Sequence, residues 1–206
     1  MPRSPWDRLD RALIRRALSG HANLLATPAT AEKTAAVSLL LVPAADGVEV
    51  LMIRRASREG DPWSQHMALP GGFRSPNDAD LFATALRETR EEVAIDLATD
   101  TEALGVLPDV NPAVGNLMVR PFVFARDARP PIALSSEVDA VAWANLGAIE
   151  RNEAPAEFEL WRGATRHRFP GFRVGANVVW GMTYRVLMDL IERAARAFSE
   201  PIPPEK

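Results

Sequence analysis

Leu69–Ile95, LPGGFRSPNDADLFATALRETREEVAI, decides how the rest of the chain is read. It reads as a glycine turn, a short polar loop, and then a segment with helical spacing. At about 100° per residue, Arg87, Glu88, Glu91 and Glu92 fall within an arc of about 140° and share one helix face. Leu86 and Val93 fall on the other side, which supplies an apolar face for a core. Like charges one turn apart repel by ~0.2–0.5 kcal/mol even in water, so convergent carboxylates call for a compensating positive charge. Arg87 and Arg90 supply part of it, and a hard divalent cation held by oxygen ligands does so better. The plain alternative is an ordinary solvated helix face, which is what most such runs are. Gly71 and Gly72 weigh against that alternative: they permit positive φ and close backbone approach to a ligand, and they precede a helix start, where anions are favoured.

These residues resemble the signature box of the Nudix hydrolases, whose pattern is Gly, five residues, Glu, seven residues, then Arg-Glu-apolar-x-Glu-Glu-x-Gly-apolar. Gly72 matches the first position, Asp78 stands where the pattern has Glu, and Arg87-Glu88-Thr89-Arg90-Glu91-Glu92-Val93-Ala94-Ile95 carries the core. Eight residues rather than seven separate Asp78 from Arg87, and Ala94 replaces the late Gly. Asp80 competes for the upstream acidic role, and Asp78 reads equally well as a helix N-cap.

The chain has 206 residues, 47% hydrophobic and 25% charged, enough for one well-filled core. A net charge of −3 argues against broad binding of nucleic acid or anionic membrane. Without cysteine there is no disulfide, thiolate nucleophile or Cys-ligated zinc. Lys33 and Lys206 are the two lysines; arginine carries the remaining positive charge.

Trp6–Leu18 has helical spacing and lacks the apolar core of a secretory signal, which predicts a helix packed on the main domain and a cytoplasmic protein. Residues 20–34, Ala/Thr-rich with Pro28, read as a surface connector. Ala36–Val42 and Val48–Arg54 flank Ala44-Ala45-Asp46-Gly47 and predict a β-hairpin. Arg54, Arg55 and Arg58 follow in a turn-rich segment, where guanidinium contacts to phosphate compete with a role in surface solubility. Further strands are expected at Ala103–Leu107, Leu117–Ala125 and Val138–Trp143, a second hairpin at Phe158–Arg162 and Arg166–Phe172, and a last helix at Thr183–Phe198. The domain reading is residues 1–35 as helix and connector, 36–198 as the main domain and 199–206 as a disordered tail. The fold class expected is α/β of the α+β type, a Nudix-like α/β/α sandwich with a mixed β-sheet and an extra N-terminal helix. There is no P-loop and no G-x-S-x-G elbow. His21, His66 and His167 lack zinc-ligand spacing, although His66, close before the glycine pair, could reach a bound phosphate.

Outside the box the chain resembles the coenzyme A pyrophosphatase branch of the Nudix family over residues 36–194. The eight-residue spacing, Ala83-Thr84-Ala85-Leu86-Arg87-Glu88 and Val179-Trp180-Gly181-Met182-Thr183 carry that likeness. In the branch's own motif Arg55-Ala56 and Leu69-Pro70-Gly71-Gly72 fit; Leu69 replaces Phe, Gln65 falls near the Gly, the spacing is one residue longer and no arginine occupies the second slot. The resemblance implies an enzyme that hydrolyses the phosphoanhydride bond of coenzyme A or an acyl-CoA, giving phosphopantetheine and 3′,5′-ADP, with Mg²⁺ or Mn²⁺. Glu88, Glu91 and Glu92 would hold the metal, and Arg87 would orient them. Glu91 or Glu92 would also activate water, with Glu137 as an outside candidate; Arg55, Gly71 and Gly72 would meet the substrate. The partner implied is a small-molecule nucleotide, with no nucleic acid or membrane and a homodimer left open. ADP-ribose, NADH, nucleotide sugars and dinucleotides are alternative substrates, and a non-catalytic nucleotide-binding module is the alternative of another class.

Overall fold

The computed structural model describes residues 4–21, 33–61, 63–111 and 116–200, with the side chain of residue 162 left aside. Its centre is β1 (Lys33–Ala44), an apolar strand buried on both faces. It pairs antiparallel with β2 (Gly47–Arg55), and parallel with β6 (Leu117–Ala125) from Lys33↔Leu117 to Leu41↔Ala125. Beyond β2 lie β3 (Met67–Ala68) and β7 (Val138–Asn145), and beyond β6 lies β5 (Glu102–Val106), all antiparallel to their neighbours. The sheet is therefore mixed, as expected.

Successive side chains on a strand point to opposite faces, and β1 feeds two cores. Leu39 and Leu41 join one cluster with Ile14 and Leu18 of α1 (Arg11–Leu18) and with Leu187, Leu190 and Ile191 of α4 (Gly181–Ser199). Ala36, Leu40 and Val42 join the other with Leu81, Ala85 and Val93 of α2 (Leu81–Val93). Helices on both faces of the sheet make the α/β/α sandwich. A second sheet of β8 (Pro155–Arg162), β9 (Thr165–Val174) and β10 (Asn177–Trp180) lies outside it, after a short α3 (Leu146–Glu150).

The departures from expectation have local causes. The N-terminal helix begins at Arg11, not Trp6, because the Asp10 side chain accepts from the Leu13 N–H (3.0 Å) and starts it there. Lys33 and Thr34 belong to β1 rather than to a connector, most of which falls outside the described residues. Ser199 closes α4, and the rest of the expected tail is Glu200, its C-cap, and residues 201–206, outside the described ones. The glycine pair is not a turn: Gly71–Phe73 form β4, antiparallel to β1 from Val37↔Gly71 to Ala35↔Phe73. Among the described residues no helix is long and apolar enough to cross a membrane.

Candidate active site

Helix α2 is fastened to the sheet by a buried polar strip. The Ser38 N–H donates to the Pro70 carbonyl (2.8 Å), and the Thr89 hydroxyl reaches Ser38 Oγ (2.9 Å) and the Ala85 carbonyl (2.8 Å). The helix therefore turns Leu81, Thr84, Ala85, Thr89, Glu92 and Val93 inward. This corrects the expected facing. Glu92 lies in the middle of the buried stripe, not on a carboxylate face opposite the core, and it is only 4% exposed. Spacing carries the signal: Leu81, Ala85, Thr89 and Glu92 are four and three residues apart, the period of a buried helix face. Glu88 is half-buried beside it, and the Glu91 side chain is 59% exposed.

The two candidates for the upstream acid separate cleanly. Asp80 is the N-cap of α2, its side chain accepting from the Ala83 N–H at 2.8 Å. Asp78 is not a cap. It is buried and accepts from Arg87 Nε and Nη2 (both 2.9 Å), from the Ser75 N–H (2.8 Å) and from the Thr84 hydroxyl (2.9 Å). The Arg87 hydrogen bonds hold its carboxyl well below the usual carboxylate range, and the pairing in turn raises the Arg87 guanidinium. With its remaining nitrogen, Nη1, Arg87 donates to Glu88 Oε1 and Glu91 Oε2, both at 2.9 Å. Asp78 thus fixes the Arg87 guanidinium beside Glu88 and Glu91.

Glu92 has the opposite environment. Its Oε2 accepts from the Gly71 N–H at 2.8 Å, and no other side-chain partner appears among the described residues. Burial, opposed by that amide and reinforced by the Glu88 charge, pushes its carboxyl up to about 8. Burial likewise raises Glu88, against the Arg87 hydrogen bond. Gly71 adopts φ +152°, and a Cβ added to Gly72 would sit 2.5 Å from the Glu88 carboxyl carbon, so both glycines are required to bring β4 against these carboxylates. The amide at Gly71 therefore meets a protein carboxylate. The helix start lies further on at Leu81, so the expected anion site formed by the glycine pair and a helix N-terminus does not exist in this form.

Chain segments distant in sequence close the site. The Ser135 N–H donates to the Glu92 carbonyl (3.0 Å) and the Ala56 N–H to the Glu137 carbonyl (2.8 Å), which ties the entrance of β7 to α2 and to the end of β2. Glu137 is exposed and pairs with Arg58 at 3.1 Å, yet its charge bears on Glu88 and Glu92. The Arg55 charge also bears on Glu92; its Nη2 donates to Asp61 (2.7 Å), and its Nε is buried with no hydrogen-bond partner among the described residues. Arg54 turns away to Asp139 (2.7 Å). His66 does not face the carboxylates. Its ring lies among Trp63, Phe158 and Trp180 at 5.1–6.0 Å, and burial lowers it.

The donor set is all oxygen and short of positive charge, which suits a hard divalent cation. Among the described residues, however, no three acidic or histidine side chains already converge as a metal cage. The Arg87 guanidinium stands between Glu88 and Glu91, so Glu92, with its uncompensated burial, is what fits the cation best. Ser38, Thr84 and Thr89 were missed in the sequence; their signal is a hydroxyl placed on a buried stripe.

Comparison with known proteins bears on this arrangement. The NUDIX domain family matches residues 32–164. The chain is 38% identical over 119 residues to a protein of Schizosaccharomyces pombe, covering 54% of this chain and 36% of that one. It is 35% identical over 125 residues to the Nudix hydrolase NudL of Salmonella paratyphi B, covering 60% and 64%. The chain thus spans under two thirds of the length of these relatives. The Nudix hydrolase RenU of M. smegmatis shares the fold, with TM-score 0.53 and 14% identity over 83% of this chain and 89% of RenU. A family match over residues 32–164, which takes in the whole of the glycine strand and the carboxylate helix, shows that this chain belongs to the Nudix hydrolase family.

Proposed function

We propose that the chain hydrolyses the phosphoanhydride bond of a nucleoside diphosphate derivative, with Mg²⁺ or Mn²⁺, and that coenzyme A or an acyl-CoA is the substrate. The observation that carries the reading is Glu92, a carboxylate buried against the Gly71 amide with no ion pair among the described residues and with Glu88 beside it. A cation held by Glu88, Glu91 and Glu92 would supply the charge that a diphosphate and its attacking water require.

The chain's own residues do the rest. Arg87 holds Glu88 and Glu91 in place and is itself held by Asp78. Arg55, whose charge already bears on Glu92, binds a phosphate oxygen. Gly71 and Gly72 bring the backbone of β4 against Glu88 and Glu92, where the diphosphate would bind. Glu91 or Glu92 takes a proton from the water as its oxygen bonds to phosphorus, and the bond from phosphorus to the bridging oxygen breaks, its electrons leaving with the departing phosphate. Glu137, at the rim, is the alternative proton acceptor. The choice of coenzyme A rests on the Arg55-Ala56 and Leu69–Gly72 likeness. The N-terminal helix, packed into the same core as α4, belongs with this domain as one unit. A small-molecule nucleotide partner, with no nucleic acid or membrane and a homodimer left open, and a cytoplasmic location complete the proposal.

The test is incubation with coenzyme A, ADP-ribose and NADH in parallel, with Mg²⁺ or Mn²⁺ and with chelator, reading products by mass. Phosphopantetheine and 3′,5′-ADP, formed only with metal, are expected. Cleavage of the other substrates alone would overturn the coenzyme A assignment, and metal-independent binding of nucleotides without cleavage would favour a non-catalytic module.

A further inference from the structure

A cavity begins one residue beyond Gly72. It measures about 620 Å³, within the size range of small-molecule sites, and is lined by Lys33, Thr34, Phe73, Arg74, Ser75 and Pro76. Phe73 directly follows Gly72, and its carbonyl accepts from Arg87 Nη2 at 3.0 Å, so the pocket adjoins the site just described. Two features of this lining bear on what it could hold. Its two cations have no carboxylate partner among the described residues, whereas Arg54, Arg55, Arg58 and Arg87 each pair with one. Arg74 Nη2 instead donates to the Asp78 and Ala79 carbonyls (both 3.1 Å), which fixes the guanidinium and leaves its charge uncancelled. The other feature is Phe73, a residue 60% exposed that lines the pocket.

In a chain of net charge −3, two uncancelled cations beside an open aromatic ring specify an anionic, flat ligand. Ser75 Oγ accepts from the Asn77 N–H at 3.3 Å, which leaves its own proton free to donate toward such a ligand. Building on the nucleotide-hydrolase reading, we propose that this pocket binds the nucleoside end of the substrate and selects a phosphomonoester on its ribose, with Lys33 and Arg74 on the phosphate and Phe73 stacked on the base. Base stacking on an aromatic ring is tolerant of base identity; the charge-assisted contacts to the phosphate carry the choice. The class selected is a 3′-phosphorylated adenosine diphosphate derivative over one with a free ribose.

The test compares coenzyme A with 3′-dephospho-coenzyme A in wild type, Lys33→Ala and Lys33→Arg. Wild type should prefer the phosphorylated substrate about tenfold or more in kcat/KM, Lys33→Ala should lower that ratio by about tenfold, and Lys33→Arg should keep most of it. Phe73→Ala should raise KM for both substrates. Equal use of the two substrates by wild type, or a proportionate loss on both in Lys33→Ala, would overturn the proposal. Should neither be hydrolysed, the hydrolase reading fails for this substrate class and calorimetric titration still decides the pocket. Adenosine 3′,5′-bisphosphate bound about tenfold more tightly than 5′-AMP, with the preference lost in Lys33→Ala, supports it; equal affinities overturn it.

Discussion

Asp78 and Glu92 are both buried carboxylates, one flanking the start of α2 and one near its end, 7% and 4% exposed, and their surroundings differ in kind. Asp78 accepts hydrogen bonds from two guanidinium nitrogens, a backbone amide and a hydroxyl. Glu92 has one amide. The first is compensated and stabilises the fold in its charged form; the second is buried at a cost that the fold itself does not offset. A buried charge without compensation marks a place where the protein is completed by something else.

The contrast breaks most visibly in turnover. Glu92→Gln keeps the shape and the amide contact but removes the charge, and should lower kcat on the order of a hundredfold or more with no loss of thermal stability. Full activity in that variant would remove Glu92 from the reaction. Asp78→Asn should do the reverse first: Arg87 loses its main partner, and unfolding in urea should shift by about 2–4 kcal/mol. Activity should fall too, because Arg87 no longer holds Glu88 and Glu91; an unchanged midpoint would show that the pairing adds nothing to stability.

The dependence on pH sharpens the same comparison. The Glu92 carboxyl titrates near 4.5 when free and near 8 in the fold. Its contribution is therefore fully present below 4.5 and is lost as pH rises through about 8, because the folded state binds the extra proton. Metal-free wild type should lose ~2–3 kcal/mol of stability relative to Glu92→Gln between pH 5 and pH 8, and added Mg²⁺ or Mn²⁺ should recover it at pH 8. Parallel curves for the two proteins would refute the uncompensated charge. Asp78 has the opposite sign: its stabilisation is present above its unfolded value and is lost as pH falls.

The smallest effect lies at the end of the helix. Ala94, where the family pattern has Gly, adopts φ +57° at the C-cap, a conformation that costs an L-residue and suits glycine. Ala94→Gly should stabilise by ~0.5 kcal/mol, the relief of strain being partly offset by the freer unfolded chain. A lower melting temperature would show that the departure is compensated elsewhere.

Much of the fold was legible because it depends on local periodicity. The expected strand at Leu117–Ala125 matches β6 residue for residue, and the Ala36–Val42 and Val48–Arg54 hairpin forms as β1 and β2. Short elements escaped, since two- to four-residue strands such as β3, β4 and β10 carry no period and exist only through their partners. The setting of His66 escaped for a related reason: nearness in sequence to the glycines says nothing of the aromatic rings of β8 and β10 that surround it.

By itself the sequence determined the chemistry present on one helix: Arg87, Glu88, Glu91 and Glu92 at helical spacing behind a glycine pair, in a chain whose apolar periods require a sheet between helices. Tertiary structure decided which of those charges is left without a partner. Burial and hydrogen bonding are properties of surroundings rather than of residues, and only the packing of β4, β7 and the end of β2 against α2 separates Asp78, fully partnered, from Glu92, held by one amide.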